Sequence, residues 1–179
     1  HEFPGTACFL QAKMGIPGIP AIDVRQQCGG FIFALSMADQ YIRTGTYKNV
    51  LIVCSELHSR CLDLTPRGRN LSVIFGDGAG AAVYEAVEGE AGVLAVDLGA
   101  DGSKGHTMVL KSMGTNGNVF NSLPPEEMAL HFEGQAVFKI AVQGIAASVT
   151  RVLENTGFST EDVDVVIPHH GNDRIVDAA

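Results

Sequence analysis

A cysteine at a predicted strand-to-helix junction is the first candidate for chemistry in this chain. Cys28 follows the apolar segment 21–24 and precedes Gly29-Gly30, after which apolar residues recur at helical spacing over residues 31–46. This pattern predicts a buried strand, a tight turn and a helix that begins beside the thiol. The unpaired N–H groups and the positive dipole end of a helix N-terminus favour a thiolate. We therefore interpret Cys28 as a candidate nucleophile, with a packed structural cysteine as the alternative.

A second candidate group follows the apolar segment 163–167, which is predicted to be a buried strand. His169 and His170 come at its end, where α/β folds present reactive groups, and Asn172 lies close by. An imidazole can hold or move a proton for a cysteine nucleophile, so the sequence predicts a pair between Cys28 and a histidine. Side chains alternate between faces along a strand, and we therefore expect the two adjacent imidazoles to point to different sides.

Strands and helices alternate along the chain, and they must position these residues. The predicted strands are 21–24, 49–54, a glycine-rich turn and strand over 73–84, then 92–98 and 163–167. The predicted helices are 31–46 and 134–153, the second ended by Gly157, and residues 99–128 form a long loop. This order favours a layered α/β fold with a largely parallel sheet. It also indicates two related halves, residues 1–89 with the cysteine and residues 90–179 with the histidine.

Composition narrows the class of protein. The 179 residues are 46% hydrophobic and include 21 Gly, which suits a compact α/β domain. A net charge of −8 argues against general nucleic-acid binding, and the four cysteines are interpreted as reduced thiols. No signal-peptide pattern and no run long enough to span a bilayer is recognised, so a cytoplasmic location is expected. The start without Met is typical of a fragment or a cleaved product.

Two further patterns are given structural interpretations. Cys54, His58 and Cys61 suggest zinc by residue type, but no fourth ligand is evident, so we expect no metal. The spacing Gly76-x-Gly78-x-Gly80 matches neither the dinucleotide nor the P-loop pattern, and we expect close backbone packing there.

Several separated motifs, in one order, resemble the β-ketoacyl-acyl-carrier-protein synthase III family of the thiolase superfamily. The matching stretches are Phe3-Pro4 with Ala7-Cys8, residues 21–24 through Cys28-Gly29-Gly30-Phe31, residues 34–41, residues 75–83, Val137-Phe138-Lys139, and Pro168-His169-His170-Gly171-Asn172-Asp173-Arg174-Ile175. The last is similar to the family signature P-H-Q-A-N-x-R-I. The resemblance covers the whole chain, with an apparent insertion over 104–130. It implies a thiolase-like layered α-β-α-β-α fold, here incomplete, with the end of the first half and the start of the second.

The resemblance also implies roles for individual positions. Cys28 would accept the acyl group, and His169 would be the catalytic histidine of the signature. Two further groups have implied roles. Among the substrate-binding positions, Phe3 would reach the partner's acyl pocket across a dimer interface, and Arg67 would contact the coenzyme A nucleotide. Gly134 would lie beside the pantetheine arm, and Phe138 and Asn172 are the other two positions. The positions that dock the carrier protein are Lys139 and Arg174.

Three departures from the family pattern bear on activity. The family's third catalytic residue, an asparagine, falls past Ala179. His170-Gly171 replaces the usual Gln-Ala, which places a second imidazole beside the site. Arg25-Gln26-Gln27 is bulkier than the small residues often found before the cysteine, and it bears on acyl preference.

The implied activity is acyl transfer by a decarboxylating Claisen condensation. An acyl-coenzyme A primer would acylate the cysteine, and malonyl-acyl carrier protein would then condense with it, without a cofactor and in a homodimer. A negatively charged enzyme would meet its acidic carrier protein through locally clustered basic residues. Two alternatives remain open: a related thiolase-fold enzyme of secondary metabolism that condenses or transfers acyl groups, or an inactive fragment that only binds an acyl ligand.

Overall fold

The computed structural model describes residues 3–89, 91–112 and 128–179. The α-helices are α1 (Thr6–Met14), α2 (Gly30–Arg43), α3 (Arg69–Ser72), α4 (Gly134–Thr156) and α5 (Asp173–Ala178). The strands are β1 (Asn49–Glu56), β2 (Gly78–Glu85), β3 (Met108–Val109) and β4 (His131–Phe132). Short 3₁₀ helices cover Gln27–Gly29, His58–Arg60, Pro66–Gly68, Gly102–Thr107 and Thr160–Asp162.

Helix α2 and strand β1 form the centre of the described fold, as the apolar pattern predicts. The helix ends with Gly45 in the left-handed conformation at φ 70°, which a glycine adopts at little cost. A short connection then turns the chain back, so β1 runs antiparallel to α2 and packs along it. Ala38 of α2 is completely buried, and Ile52 of β1 is 6% exposed. These two side chains are the buried apolar core of the described residues.

The described sheet differs from the predicted one. β1 pairs antiparallel with β2, in a register that sets Ile52 opposite Ala82, Cys54 opposite Gly80 and Glu56 opposite Gly78. The expectation of a largely parallel sheet is therefore wrong for this strand pair. A parallel neighbour needs a crossover from one end of the sheet to the other, whereas the segment between β1 and β2 returns the chain at the same end.

Three predicted strands, 21–24, 92–98 and 163–167, are not strands in the structure. A strand is defined by its hydrogen-bonded partner strand, and these three segments have none among the described residues. The apolar side chains of the last segment are exposed, up to 89% for Ile167. The apolar sequence of these segments indicates a preference for burial, but it does not identify the strand that would pair with them.

Helix α4 follows its prediction closely and ends at Gly157, which is left-handed at φ 73°. By length and composition alone, α4 could cross a bilayer, since a window of it has a mean hydropathy of 1.4. Its apolar residues are interrupted by polar ones such as Lys139 and Gln143, so it contains no continuous apolar run, as the sequence predicts. The helix is nevertheless tied to the preceding segment, because Ser148 and Arg151 both donate hydrogen bonds to Asp97. Such contacts are typical of a helix packed within a protein.

The predicted insertion over 104–130 is described only in part, since residues 113–127 lie outside the described ranges. Residues 104–109 of it belong to the 3₁₀ helix Gly102–Thr107 and to β3, which pairs with β4 through Met108 and Phe132. The Glu133 N–H donates to the carbonyl of buried Thr107 at 2.8 Å. This contact fixes the first turn of α4 against the loop.

Candidate active site

The turn that carries Cys28 is strained. Cys28 lies in the 3₁₀ helix Gln27–Gly29, directly before α2, so the predicted position at a helix start is confirmed. Gln27 has φ 38°, a left-handed conformation that costs a non-glycine residue about 1–3 kcal/mol. The Gly29 N–H donates to the Gln26 carbonyl at 3.0 Å and closes the turn. A side-chain atom added at Gly30 would meet nothing within 4 Å, so the space beside the turn is open.

The thiol of Cys28 is less acidic than the sequence predicts. Its residue is exposed, yet partial loss of water around the sulfur raises the pKa above its usual value, and the Glu56 carboxylate raises it further. The residue's own backbone N–H lowers the pKa, but it does not outweigh the other two causes. The backbone N–H at the helix start thus favours the thiolate, as expected, but burial of the sulfur and the Glu56 carboxylate together outweigh it.

An open cleft lies at the carboxyl end of β1. Its volume is about 350 Å³, and its lining residues come from the end of β1 and the start of β2: Cys54, Glu56, Gly76, Asp77, Gly78, Ala79 and Gly80. A Cβ atom added at Gly76, Gly78 or Gly80 would meet nothing within 4 Å. The predicted close backbone packing at these glycines is therefore wrong in the described structure, because they border the cleft instead.

Two loops are fastened together beside this cleft. Both carboxylate oxygens of Asp77 accept from Ser59, one from its N–H at 2.8 Å and one from its hydroxyl at 2.7 Å. These bonds lower the pKa of Asp77. The His58 ring contacts the Gly76 carbonyl through Nδ1 at 3.1 Å and packs on Phe75 with the ring centroids 4.9 Å apart. The loop that leaves β1 is thus held against the loop that enters β2.

The residues considered for zinc are used for other contacts. His58 faces Glu56, with Nε2 3.7 Å from Oε2, while the Cys61 thiol donates to the His58 carbonyl at 3.2 Å. Within the described ranges, no group of three or more histidine, cysteine, aspartate or glutamate side chains is placed to hold a metal ion.

The two adjacent histidines have different neighbours. Nε2 of His170 donates to Asp173 at 2.6 Å. The His169 ring lies beside Gly171, where an added Cβ atom would come within 3.3 Å of Nε2. Asn172 is the N-cap of α5, and its side-chain oxygen accepts from the Arg174 N–H at 2.9 Å. Among the described residues, no hydrogen bond joins either imidazole to the Cys28 sulfur. The predicted cysteine–histidine pair therefore stays a prediction.

Arg67 is held at the surface by an ion pair. Its Nε donates to Asp63 at 2.7 Å, and Thr65 donates to the same carboxylate through its N–H and its hydroxyl. The Thr65 and Arg67 hydrogen bonds lower the pKa of Asp63 to about 2. A side chain at Gly68 would collide with the Asp63 backbone carbonyl, so glycine is required at this turn. The guanidinium is positioned while most of it remains accessible.

The other predicted site residues are distributed over the surface. Phe3 is 97% exposed, and Gly134 is the first residue of α4, beside the Phe132 ring. The remaining three, Phe138 and Lys139 on α4 and Arg174 on α5, are exposed on two helices that pack against each other. The structure thus brings the two basic candidates onto one helix pair.

Sequence reasoning missed two features of the site, the left-handed Gln27 and the carboxylate of Glu56. No residue type signals the first, since glutamine rarely adopts positive φ. The second could have been found: β1 follows α2 after a short turn, so its last residue returns to the end of α2 where Cys28 lies. Counting by twos from buried Ile52 then places Glu56 on the same face of the strand.

Comparison with known proteins bears on this site. Residues 22–102 match the family model described as 3-oxoacyl-[acyl-carrier-protein (ACP)] synthase III. The chain is 40% identical over 179 residues to the β-ketoacyl-[acyl-carrier-protein] synthase III of Caldanaerobacter subterraneus, covering 99% of this chain and 54% of that protein.

Solved structures give the same result. The 3-oxoacyl-[acyl-carrier-protein] synthase III of Aquifex aeolicus superposes with a TM-score of 0.85 at 35% identity, over 99% of this chain and 53% of that one. The priming β-ketosynthase of the R1128 polyketide pathway superposes with a TM-score of 0.87 at 30% identity, over 99% and 52%. The predicted thiolase-like fold is thereby confirmed. The chain spans about half the length of the curated relatives that it matches.

Proposed function

We propose that this chain, which is similar to the 3-oxoacyl-[acyl-carrier-protein] synthase III family, forms part of an acyltransferase that uses Cys28 as its nucleophile. The proposed reaction is the decarboxylating condensation of an acyl-coenzyme A primer with malonyl-acyl carrier protein. The observation that carries the proposal is the placement of Cys28 on a strained turn at the start of α2, with open space at Gly30.

The first half-reaction forms the acyl enzyme. The Cys28 sulfur, after losing its proton, attacks the thioester carbonyl and releases coenzyme A as its thiol. The oxyanion that develops needs a fixed donor, and the Cys28 backbone N–H is the natural one. Arg67, exposed and fixed by Asp63, would contact the nucleotide of coenzyme A, and Gly134 and Phe138 would flank its arm.

The second half-reaction condenses the acyl group with a malonyl thioester. Loss of carbon dioxide leaves an enolate, whose carbon attacks the acyl thioester and returns the cysteine as a thiol. A neutral imidazole that donates to the enolate oxygen would lower this barrier, and His169 is the proposed donor. Asn172 supports this arrangement, since its amide oxygen is fixed as the cap of α5.

The remaining parts of the proposal concern organisation. The two halves, residues 1–89 and 90–179, would each contribute one reactive residue. Lys139 and Arg174, on the adjoining helices α4 and α5, would dock the acidic carrier protein. We further propose a cytoplasmic homodimer that needs no cofactor, in which exposed Phe3 reaches the partner subunit's acyl pocket.

Acylation of the intact protein tests the nucleophile. After incubation with an acyl-coenzyme A, mass spectrometry should find one acyl adduct, on the peptide that contains Cys28. Cys28→Ala should abolish the adduct without changing the circular dichroism spectrum. An adduct on Cys8, Cys54 or Cys61 would contradict the assignment.

A second experiment separates the two histidines. His169→Ala should largely stop carbon dioxide release from malonyl-acyl carrier protein while acylation of Cys28 continues, because only the enolate step loses its donor. His170→Ala is the matched control and should change rates modestly, since it removes the surface contact with Asp173. The reverse result would show that the roles are misassigned.

The second candidate function is the same condensation carried out in a polyketide pathway. The superposition on a priming β-ketosynthase of a polyketide pathway, at a TM-score of 0.87, favours it. In that case the condensation is the same, and the partner is the carrier protein of a polyketide assembly line. Comparing malonyl thioesters on the two kinds of carrier protein would decide between them.

A further inference from the structure

Glu56 is placed toward Cys28 by the geometry of the helix and the strand. β1 runs antiparallel to α2, so the last residue of the strand lies near the first turn of the helix. Ile52, Cys54 and Glu56 alternate along β1 and share one face, and Ile52 is buried on it against α2. Glu56 also lines the open cleft at this end of the strand. The carboxylate is therefore on the α2 face, at the end where Cys28 precedes the helix.

Among the described residues, the side chain that faces the Glu56 carboxylate is His58, which is a cation only when its ring is protonated. His58 Nδ1 contacts the Gly76 carbonyl, which can only accept, so Nδ1 carries the proton. Nε2, 3.7 Å from Glu56, then carries a proton only when the ring is an imidazolium. While His58 is neutral, the charge of Glu56 is not compensated by this neighbour.

We propose that Glu56 is a positioning residue that acts on the nucleophile through its charge: the carboxylate, at the end of β1, lowers the fraction of Cys28 present as thiolate in the resting enzyme. The inference rests on the proposed function only in taking Cys28 as the nucleophile. A protonated thiol reacts slowly with small electrophiles and oxidants, because the thiolate is the reactive form. The charge of Glu56 thereby slows these side reactions of Cys28.

Other titratable groups lie near Glu56 and define what the experiment must control. Cys54 lies on β1, His58 on the loop that leaves it, and Asp77 on the loop that enters β2. Arg25 precedes the cysteine in its own turn. Both carboxylate oxygens of Asp77 accept hydrogen bonds from Ser59, so we expect Asp77 to keep these bonds when Glu56 is replaced.

The test is the pH profile of Cys28 alkylation in the intact protein. Iodoacetamide is added over a range of pH, and mass spectrometry measures the rate at the Cys28 peptide alone. Glu56→Gln should move the midpoint to lower pH and speed alkylation at neutral pH by about three- to tenfold, which corresponds to half to one pKa unit. Glu56→Asp should keep a pH profile close to that of the original protein, because the negative charge remains.

Glu85→Gln is the matched control, since Glu85 ends β2 at the far end of the same strand pair, opposite Asn49. Its profile should not move. A purely structural effect of Glu56→Gln would change the rate plateau at high pH and leave the midpoint unchanged. An unchanged midpoint, or equal shifts in the two glutamine variants, would overturn the inference.

The acyl-adduct measurement distinguishes this inference from the proposed function. If the midpoint shifts in Glu56→Gln but no variant accepts an acyl group, the inference holds and the proposed function fails. If Cys28 is acylated and the midpoint does not shift, the function holds and the inference fails.

Discussion

Asp39 offers the sharpest test of how the fold positions the nucleophile. It lies on α2, nine-tenths or more buried, and three side chains donate to its carboxylate. Arg43 donates through Nε at 2.7 Å and Tyr84, from β2, through its hydroxyl at 3.2 Å. Arg43 also donates to the Val93 carbonyl at 2.6 Å. Asp39 therefore joins the helix that follows Cys28 to the sheet and, through Arg43, to the segment beyond β2.

Asp39→Ala should destabilise the protein by about 2–3 kcal/mol. A hydrogen bond to a charged group contributes about 1.5–3 kcal/mol, and Tyr84 and Arg43 would each lose one. The Arg43 contribution is reduced because its side chain is 56% exposed and water can replace the carboxylate. The Tyr84 hydroxyl lies in a partly buried place and carries the larger part of the loss.

Urea denaturation of the intact protein measures this effect as a fall in the transition midpoint at unchanged slope. Asp177→Ala, an exposed aspartate on α5, is the control and should stay within about 0.5 kcal/mol of the original protein. Tyr84→Phe should cost about 1.5–2 kcal/mol, and its effect should largely vanish in the Asp39→Ala background. Additive effects in the double variant, or a loss below about 0.5 kcal/mol for Asp39→Ala, would refute the role of this network.

Three further predictions concern packing and charge. Ile52→Ala should lower the free energy of unfolding by about 2–4 kcal/mol, measured by the same denaturation, because it empties the centre of the core. Gly68→Ala should lower the melting temperature measured by calorimetry, because the new methyl group collides with the Asp63 carbonyl; Gly30→Ala, in open space, is its control. The hydrogen bonds from Arg151 lower the pKa of Asp97 to about 2, so its contribution to stability is present above about pH 4 and lost as the pH falls toward about 2. Thermal unfolding of Asp97→Asn should show lower stability at neutral pH and a weaker loss over that acidic range.

The sequence predicts those elements whose pattern is local. The periodicity before and after Ala38 defines α2, and the glycine at position 45 marks where it ends. α4 is equally clear, with its apolar face and the terminal Gly157. A helix satisfies its own backbone hydrogen bonds, so the sequence of the segment alone is sufficient to recognise it.

Strands are harder, because their hydrogen bonds lie in another segment. The apolar runs 92–98 and 163–167 resemble β1 in composition, but only β1 finds a neighbour among the described residues. Apolar composition indicates that a segment prefers burial; it does not identify the chain that buries it. The direction of pairing between β1 and β2 likewise depends on the path of the intervening loop, which Ser59 and Asp77 fasten.

The candidate site shows the same division between local and long-range causes. The position of Cys28 beside a helix depends on neighbouring residues, and the sequence predicts it. The acidity of its thiol depends also on Glu56, twenty-eight residues later at the end of β1, and the turn alone does not reveal it. Burial and the Glu56 charge together exceed the lowering by the backbone N–H, so the pKa is raised. A raised thiol pKa means that few molecules hold the thiolate at neutral pH. Acylation of Cys28 then requires that the thiol lose its proton as the thioester is attacked, and the sulfur of the departing coenzyme A can take that proton, so this step does not need His169.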